Sequence, residues 1–210
     1  MPSLAAYKSD LDYSYAPGIF PSMECLTYRP EKVRRLLVHS SAAGREGTDR
    51  LRALAEKAGV RVEAADRVLA RISGKENCYA AAVFEKFEDA PDPEKPHVVL
   101  HNPGDSGNVG TILRTALGLG IEDVALVRPC VDLFDPKTVR ASMGSLFRLR
   151  VKVYNTFGEY RTAFRATTRQ RNRLPFRACP DNRIVSKRSK TKVEIEGQIS
   201  VSFSAPPFFY

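Results

Sequence analysis

The 210-residue sequence contains no tryptophan, three histidines and four cysteines, and it has no long apolar run. Each shortage excludes something. Cys25, Cys78, Cys130 and Cys179 are far apart, and no C-x-x-C pair occurs. His39, His97 and His101 complete no ligand spacing around them. A zinc site needs such clustering, so no metal is expected, and reduced thiols are expected in place of disulfides. No stretch approaches the roughly eighteen apolar residues of a membrane helix. The N-terminus, where Asp10 and Asp12 interrupt any apolar core, has no secretory signal pattern. The expectation is a cytoplasmic globular protein.

What is abundant is positive charge, and its position matters more than its sum. The formal net charge is +9, but residues 161–192 hold eleven Arg and Lys against Asp181 alone. The remainder is close to neutral. Basicity therefore belongs to the tail and says little about what the folded body binds. A solvated basic segment and an RNA-gripping tail both fit it, although the interleaved aromatics of single-strand binders are missing there.

Three regions separate along the chain. The opening, Ala16 to Leu26, mixes turn formers with an apolar anchor. Short β-branched and aromatic runs predict strands at 35–39, 60–64 and 79–87, with helices at 48–58 and 66–72. Thr48 is the expected N-cap of the first helix, and Gly59 its terminator. Residues 89–96, with three prolines and four charges, read as a linker. Strands at 98–100, 123–128 and 149–154 then alternate with helices at 108–119 and 136–142, the latter capped by Asp135. This alternation predicts a parallel sheet covered on both faces. Beyond Phe164 the periodicity ends. One strand at 199–205 is compatible with alternation, and the rest reads as disordered.

The run His101-Asn-Pro-Gly-Asp-Ser-Gly-Asn-Val-Gly-Thr-Ile-Leu-Arg-Thr-Ala116 carries the most chemistry. A strand ends, a Gly/Pro/Asp turn follows, and a helix begins. At about 100° per residue, Val109, Ile112, Leu113, Ala116 and Leu117 share one arc, while Asn108, Thr111, Arg114 and Thr115 share the opposite one. An amide, two hydroxyls and a guanidinium thus face solvent just past a strand's C-terminal end, where open α/β sheets place their ligands. An ordinary polar surface helix gives the same pattern. A nucleotide loop does not fit: Gly104, Gly107 and Gly110 are spaced wrongly for G-x-G-x-x-G, and no G-K-[ST] follows.

The pattern at Asn102, Asp105, Asn108, Gly110, Arg114 and Ala116 resembles the first motif of the SpoU-type (SPOUT superfamily) RNA 2′-O-ribose methyltransferases. The block Asp132 to Ser145, with Arg140-Ala-Ser-Met-Gly144, resembles the R-A-S-x-G element that follows it in that family. Lys75 to Phe84 is similar to the end of the small L30e-like substrate-binding domain that many members carry. The resemblance implies an α/β chain: an N-terminal extension at 1–21, a small L30e-like α/β/α RNA substrate-binding domain at 22–88, and a linker at 89–96. An incomplete SPOUT (trefoil-knot type) parallel-sheet domain would span 97–164, and an aberrant basic tail 165–210.

It further implies S-adenosylmethionine as methyl donor, a ribose 2′-hydroxyl of tRNA or rRNA as acceptor, and a homodimer. Asn108 and Arg114 would line the reacting site, with Arg140 and Ser142 shaping the substrate pocket. A guanidinium stays protonated and cannot serve as a free base. Arg114 would instead clamp the phosphate beside the target ribose, with Asn108 positioning either Arg114 or the hydroxyl. Two family elements are missing after Phe164: an acidic-glycine loop and a Ser-Leu-Asn segment that complete the donor site. That departure suggests a shifted reading frame. It keeps open a catalytically silent RNA-binding module, and an unrelated α/β domain with coincidental motifs.

Overall fold

The computed structural model describes residues 4–42, 44–73 and 78–164, together with the backbone of 184–185 and 192–196. Two sheets organise these residues. The first has strand order β1-β4-β2-β3, built from β1 (Tyr13–Pro17), β2 (Val33–Val38), β3 (Val62–Ala64) and β4 (Ala80–Glu85). β4 runs antiparallel to β1 and β2, and β2 runs parallel to β3. Helices α1 (Ile19–Tyr28), α2 (Glu46–Lys57) and α3 (Asp66–Ser73) cover it. The Ala-Ala-Ala-Val-Phe run of β4 is buried along its whole length, as a central strand requires.

β1 and α1 are not foreseen in the sequence. β1 lies at the sheet edge and ends at Pro17, where a missing N–H breaks no ladder. Pro21 sits in the first turn of α1, whose N–H groups have no intrahelical acceptor, so it does not stop the helix. Residues 13–21 are thus part of the folded unit. Thr48 is not the cap of α2: the helix starts two residues before it, and the buried Thr48 hydroxyl has no hydrogen-bond partner among the described residues. Gly59 does end that helix, at φ +67°.

The second sheet has order β7-β6-β5-β9-β8. β5 (His97–His101), β6 (Asp123–Val127) and β7 (Arg150–Tyr154) are mutually parallel, joined by α4 (Ser106–Gly118) and α5 (Pro136–Ala141). Alternate strand residues face opposite sides. Val98, Leu100, Val124 and Leu126 join the core with α4 and α5, whereas Val99, Ala125 and Val127 pack with Tyr154, Tyr160 and Phe164 near α6 (Phe157–Ala163). Both faces are covered, as expected. Two tail segments, β8 (Ile184–Val185) and β9 (Lys192–Glu196), also contribute, β9 pairing antiparallel with β5. That differs from the expected disorder. The candidate strand at 199–205 lies outside the described residues, as does most of the chain that would thread a trefoil knot.

The two sheets share one core. Phe84 and Phe87 from the first meet Phe134 and Phe147 from the second, with Phe84 edge-on to Phe147 at 4.9 Å and Phe87 to Phe134 at 5.3 Å. Arg29 bonds the Phe147 carbonyl at 3.1 Å and pairs with Asp89.

Candidate functional site

Three parallel strands end at one edge, and the polar residues gather there. Asn102 follows β5 in a left-handed conformation (φ +55°) that asparagine tolerates, and its N–H donates to the Val127 carbonyl. The chain then turns through Pro103, whose carbonyl accepts from the Val131 N–H. Asp105 caps α4: its Oδ1 accepts from the Asn108 N–H at 2.7 Å. The helix therefore begins at Ser106, two residues before the sequence suggests. Arg128, immediately after β6, is exposed at the same edge with its N–H bonded to the Tyr154 carbonyl. Sequence reasoning did not single it out, although its place at a strand's C-terminal end was a usable signal.

On α4, Asn108, Thr111 and Arg114 are exposed and Thr115 is half-buried, while Val109, Leu113 and Ala116 are buried. The predicted polar face is real. Its hydroxyls are partly engaged, Thr111 Oγ1 donating to Gly107 O and Thr115 Oγ1 to Thr111 O, each at 2.9 Å. Among the described residues, the Arg114 guanidinium makes no ion pair, and no hydrogen bond joins it to Asn108. The two lie six residues apart, roughly 9 Å along the axis. Helical side chains lean toward the N-terminus, so Arg114 reaches back toward the strand edge where Asn108 stands. They stand at the two ends of the polar arc, about 120° apart around the axis and with no hydrogen bond between them, which leaves the hydroxyl, not Arg114, as what Asn108 could orient.

The second motif packs on the first through Gly110. A Cβ there would stand 2.7 Å from the Ala141 carbonyl carbon and from the Ser142 nitrogen. Only glycine lets α4 and α5 approach so closely. Arg140 is exposed on α5. Ser142, expected to shape the substrate pocket, is placed differently. It is fully buried; its hydroxyl donates to Val139 O at 2.7 Å and accepts from Gly144 N at 3.2 Å. Ser145 bonds its carbonyl. Ser142 holds the turn. Asp135 caps α5 as expected, accepting from Lys137 N at 2.7 Å.

Two acids of the second sheet and its connections are structural. Asp132 accepts from the Tyr7 hydroxyl and the Phe134 N–H, with Lys86 at 3.8 Å. Burial, reinforced by this bond to Asp132, pushes the Tyr7 phenol well above its ordinary range. Asp123, fully buried at the opposite edge of the sheet, takes two bonds from Arg150 at 2.6 Å and one from the Asp92 N–H at 2.8 Å. Cys25, Cys78 and Cys130 are free thiols raised above the usual range by burial. Among the described residues, no group of three or more His, Cys, Asp or Glu could hold a metal ion, and no helix is long and apolar enough to cross a membrane.

Residues 95–176 match the SpoU rRNA Methylase family. The matched segment contains β5, α4, the Arg140–Gly144 turn and β7, and runs twelve residues beyond Phe164. The chain is 50% identical over 54 residues to rRNA methyltransferase 3, mitochondrial, of Xenopus tropicalis, covering 26% of this chain and 13% of that protein. Its fold is similar to the crystal structure of an rRNA methyltransferase from Sinorhizobium meliloti, with a TM-score of 0.60 and 25% identity over 74% of this chain and 60% of that one. The AdoMet-bound structure of an rRNA methyltransferase from the same organism matches with a TM-score of 0.57 and 26% identity over 74% and 58%. In each case the chain spans less than two thirds of the protein it resembles. A match over 74% exceeds everything from residue 95 onward, so the first sheet also takes part in it.

Proposed function

We propose that this chain is a SpoU-type methyltransferase that methylates a ribose 2′-hydroxyl of tRNA or rRNA, with S-adenosylmethionine as donor. The observation that carries the reading is the exposed Arg114, without a carboxylate partner among the described residues, on a helix face that starts at the strand edge. The SpoU match and the AdoMet-bound neighbour support it. When bound, the donor supplies a methyl on an activated sulfonium. The exposed rim of Asn102, Arg128 and Asn155, at the ends of three adjacent strands, would form its floor.

This chain's residues need only align and neutralise. Arg114 clamps the phosphate beside the target ribose, and Asn108 orients the hydroxyl in line with the methyl, which is where positioning lowers the barrier. The proton leaves to the phosphate or solvent, because the guanidinium keeps its own. Transfer of labelled methyl from S-adenosylmethionine to RNA tests this. Arg114→Lys keeps the charge but loses the planar fork, and a fall in rate of at least about tenfold is expected. An undiminished rate removes the clamp.

A catalytically silent RNA-binding module is the second reading. The free edge of β5 is filled by Lys192–Glu196, which lie outside the segment matching the family, and this favours it. Calorimetric titration separates the two: RNA affinity without any heat of S-adenosylmethionine binding selects the silent module. The reading also carries a homodimer, which sedimentation tests. A chain that stays monomeric at all concentrations removes that part.

A further inference from the structure

The Arg140–Gly144 turn does not end at α4; its other side touches α1. Gly144, at φ +85°, lets α1 approach so closely that a Cβ there would stand 2.7 Å from Glu24 Cβ and 3.0 Å from Pro21 Cα. The residues flanking this contact are apolar and exposed, Phe20 at 64% and Met143 at 42%. Met143 is itself left-handed, at φ +52°, a conformation that side chains of its kind seldom adopt. At the start of α1, Ile19 touches Gly47 within 3.1–3.3 Å of its would-be Cβ, which brings the beginning of α2 alongside.

Arg45 caps α2 there. Its guanidinium lies 4.1 Å over the Tyr79 ring, and His39 meets the same ring edge-on at 6.2 Å. Arg140 stands three residues before Met143 on the turn; burial pushes the thiol of Cys78, the neighbour of Tyr79, up, and the positive charge of Arg140 draws it slightly back. One seam between the two sheets thus gathers Phe20, Met143, Tyr79, Arg45 and Arg140, and it continues through Gly110 to the Arg114 face.

The charges along this seam differ from those elsewhere. Arg29, Arg34, Arg35, Arg61 and Arg150 pair with carboxylates. Among the described residues, neither Arg45 nor Arg140 has a carboxylate partner. Glu24 lies at the contact, where burial pushes its carboxyl above the ordinary range and Arg148 draws it back. Unpaired guanidiniums between exposed apolar side chains suit single-stranded RNA, whose bases stack and whose phosphates seek cations. A duplex hides its base faces.

We propose that the seam holds an unpaired nucleotide flanking the methylation target, its base stacked on Phe20 against Met143 and its phosphates held by Arg45 and Arg140. This rests on the RNA reading above and adds a preference for single strands. The test measures fluorescence anisotropy of a labelled oligouridylate, free and annealed to its complement, at several salt concentrations. The parent chain is expected to favour the single strand. Phe20→Ala, at an exposed position, should keep the fold by circular dichroism and weaken single-strand binding at least about fivefold, with duplex binding unchanged. Arg45→Gln and Arg140→Gln should each lower the salt slope by about 0.7.

If Arg114→Gln loses affinity while the three seam variants bind as the parent does, the seam is wrong and the reacting-site reading stands. A parent that binds neither RNA overturns both. A parent that sediments as a dimer, made monomeric by Phe20→Ala without loss of RNA affinity, assigns the patch to a second copy of the chain and overturns the proposal.

Discussion

Tyr154 closes β7 with 3% of its surface exposed, and its phenol is pushed up to about 12, first by burial and then by the nearby Glu88 and Glu159. The folded value lies above the unfolded value of about 10. The neutral phenol therefore contributes stability that is fully present below about pH 10 and lost as pH rises through about 12. Tyr7 and Tyr15 shift the same way, also mainly by burial. Denaturant midpoints are expected to fall across that window, and Tyr154→Phe should flatten the decline. A midpoint insensitive to pH there would contradict the assignment. Ser142 carries a related lesson. It falls within a motif that suggests ligand contact, yet burial and two hydrogen bonds commit it to the turn; a sequence motif names a residue without saying which way it faces.

The α4–α5 contact is where spacing becomes geometry. In Gly110→Ala the new methyl meets backbone, Ala141 C and Ser142 N at 2.7 Å, and backbone cannot swing aside. A gain of up to about 1 kcal/mol from helix propensity is outweighed by overpacking of about 1–3 kcal/mol. The variant should unfold at lower denaturant and bind RNA more weakly, since α5 carries Arg140. Greater stability than the parent would show that the helices are free to separate. Helix α4 was legible from its apolar period and α5 from its Asp135 cap, both of which follow local rules. α1 was not, because Pro21 and Gly18 read as a turn until the neighbouring strands supply a surface to pack on.

For the whole molecule, the proline-rich segment 89–96 reads as a linker but is tied down. Asp89 pairs with Arg29 and donates its N–H to Val151 O at 3.0 Å; Asp92 donates its N–H to the buried Asp123 at 2.8 Å. Together with the shared phenylalanine cluster, this predicts that both sheets unfold in one step. Phe147→Ala should cost about 3–5 kcal/mol and shift far-ultraviolet and tyrosine-fluorescence transitions equally. Two separated transitions, only one of them moved, would show independent units.

Local rules were enough to read the parallel strands, the helices that join them and the polar arc of Asn108 and Arg114, because hydrophobic period acts over a few residues and is written in order along the chain. The meeting of Gly110 with Ala141, of Gly144 with α1, and of Arg45 with Tyr79 depended on tertiary structure. So did the burial of Ser142 and the bonding of Asp132 to Tyr7. Those contacts join residues far apart in sequence, and which polar groups they consume is settled only when two surfaces close on each other and expel water.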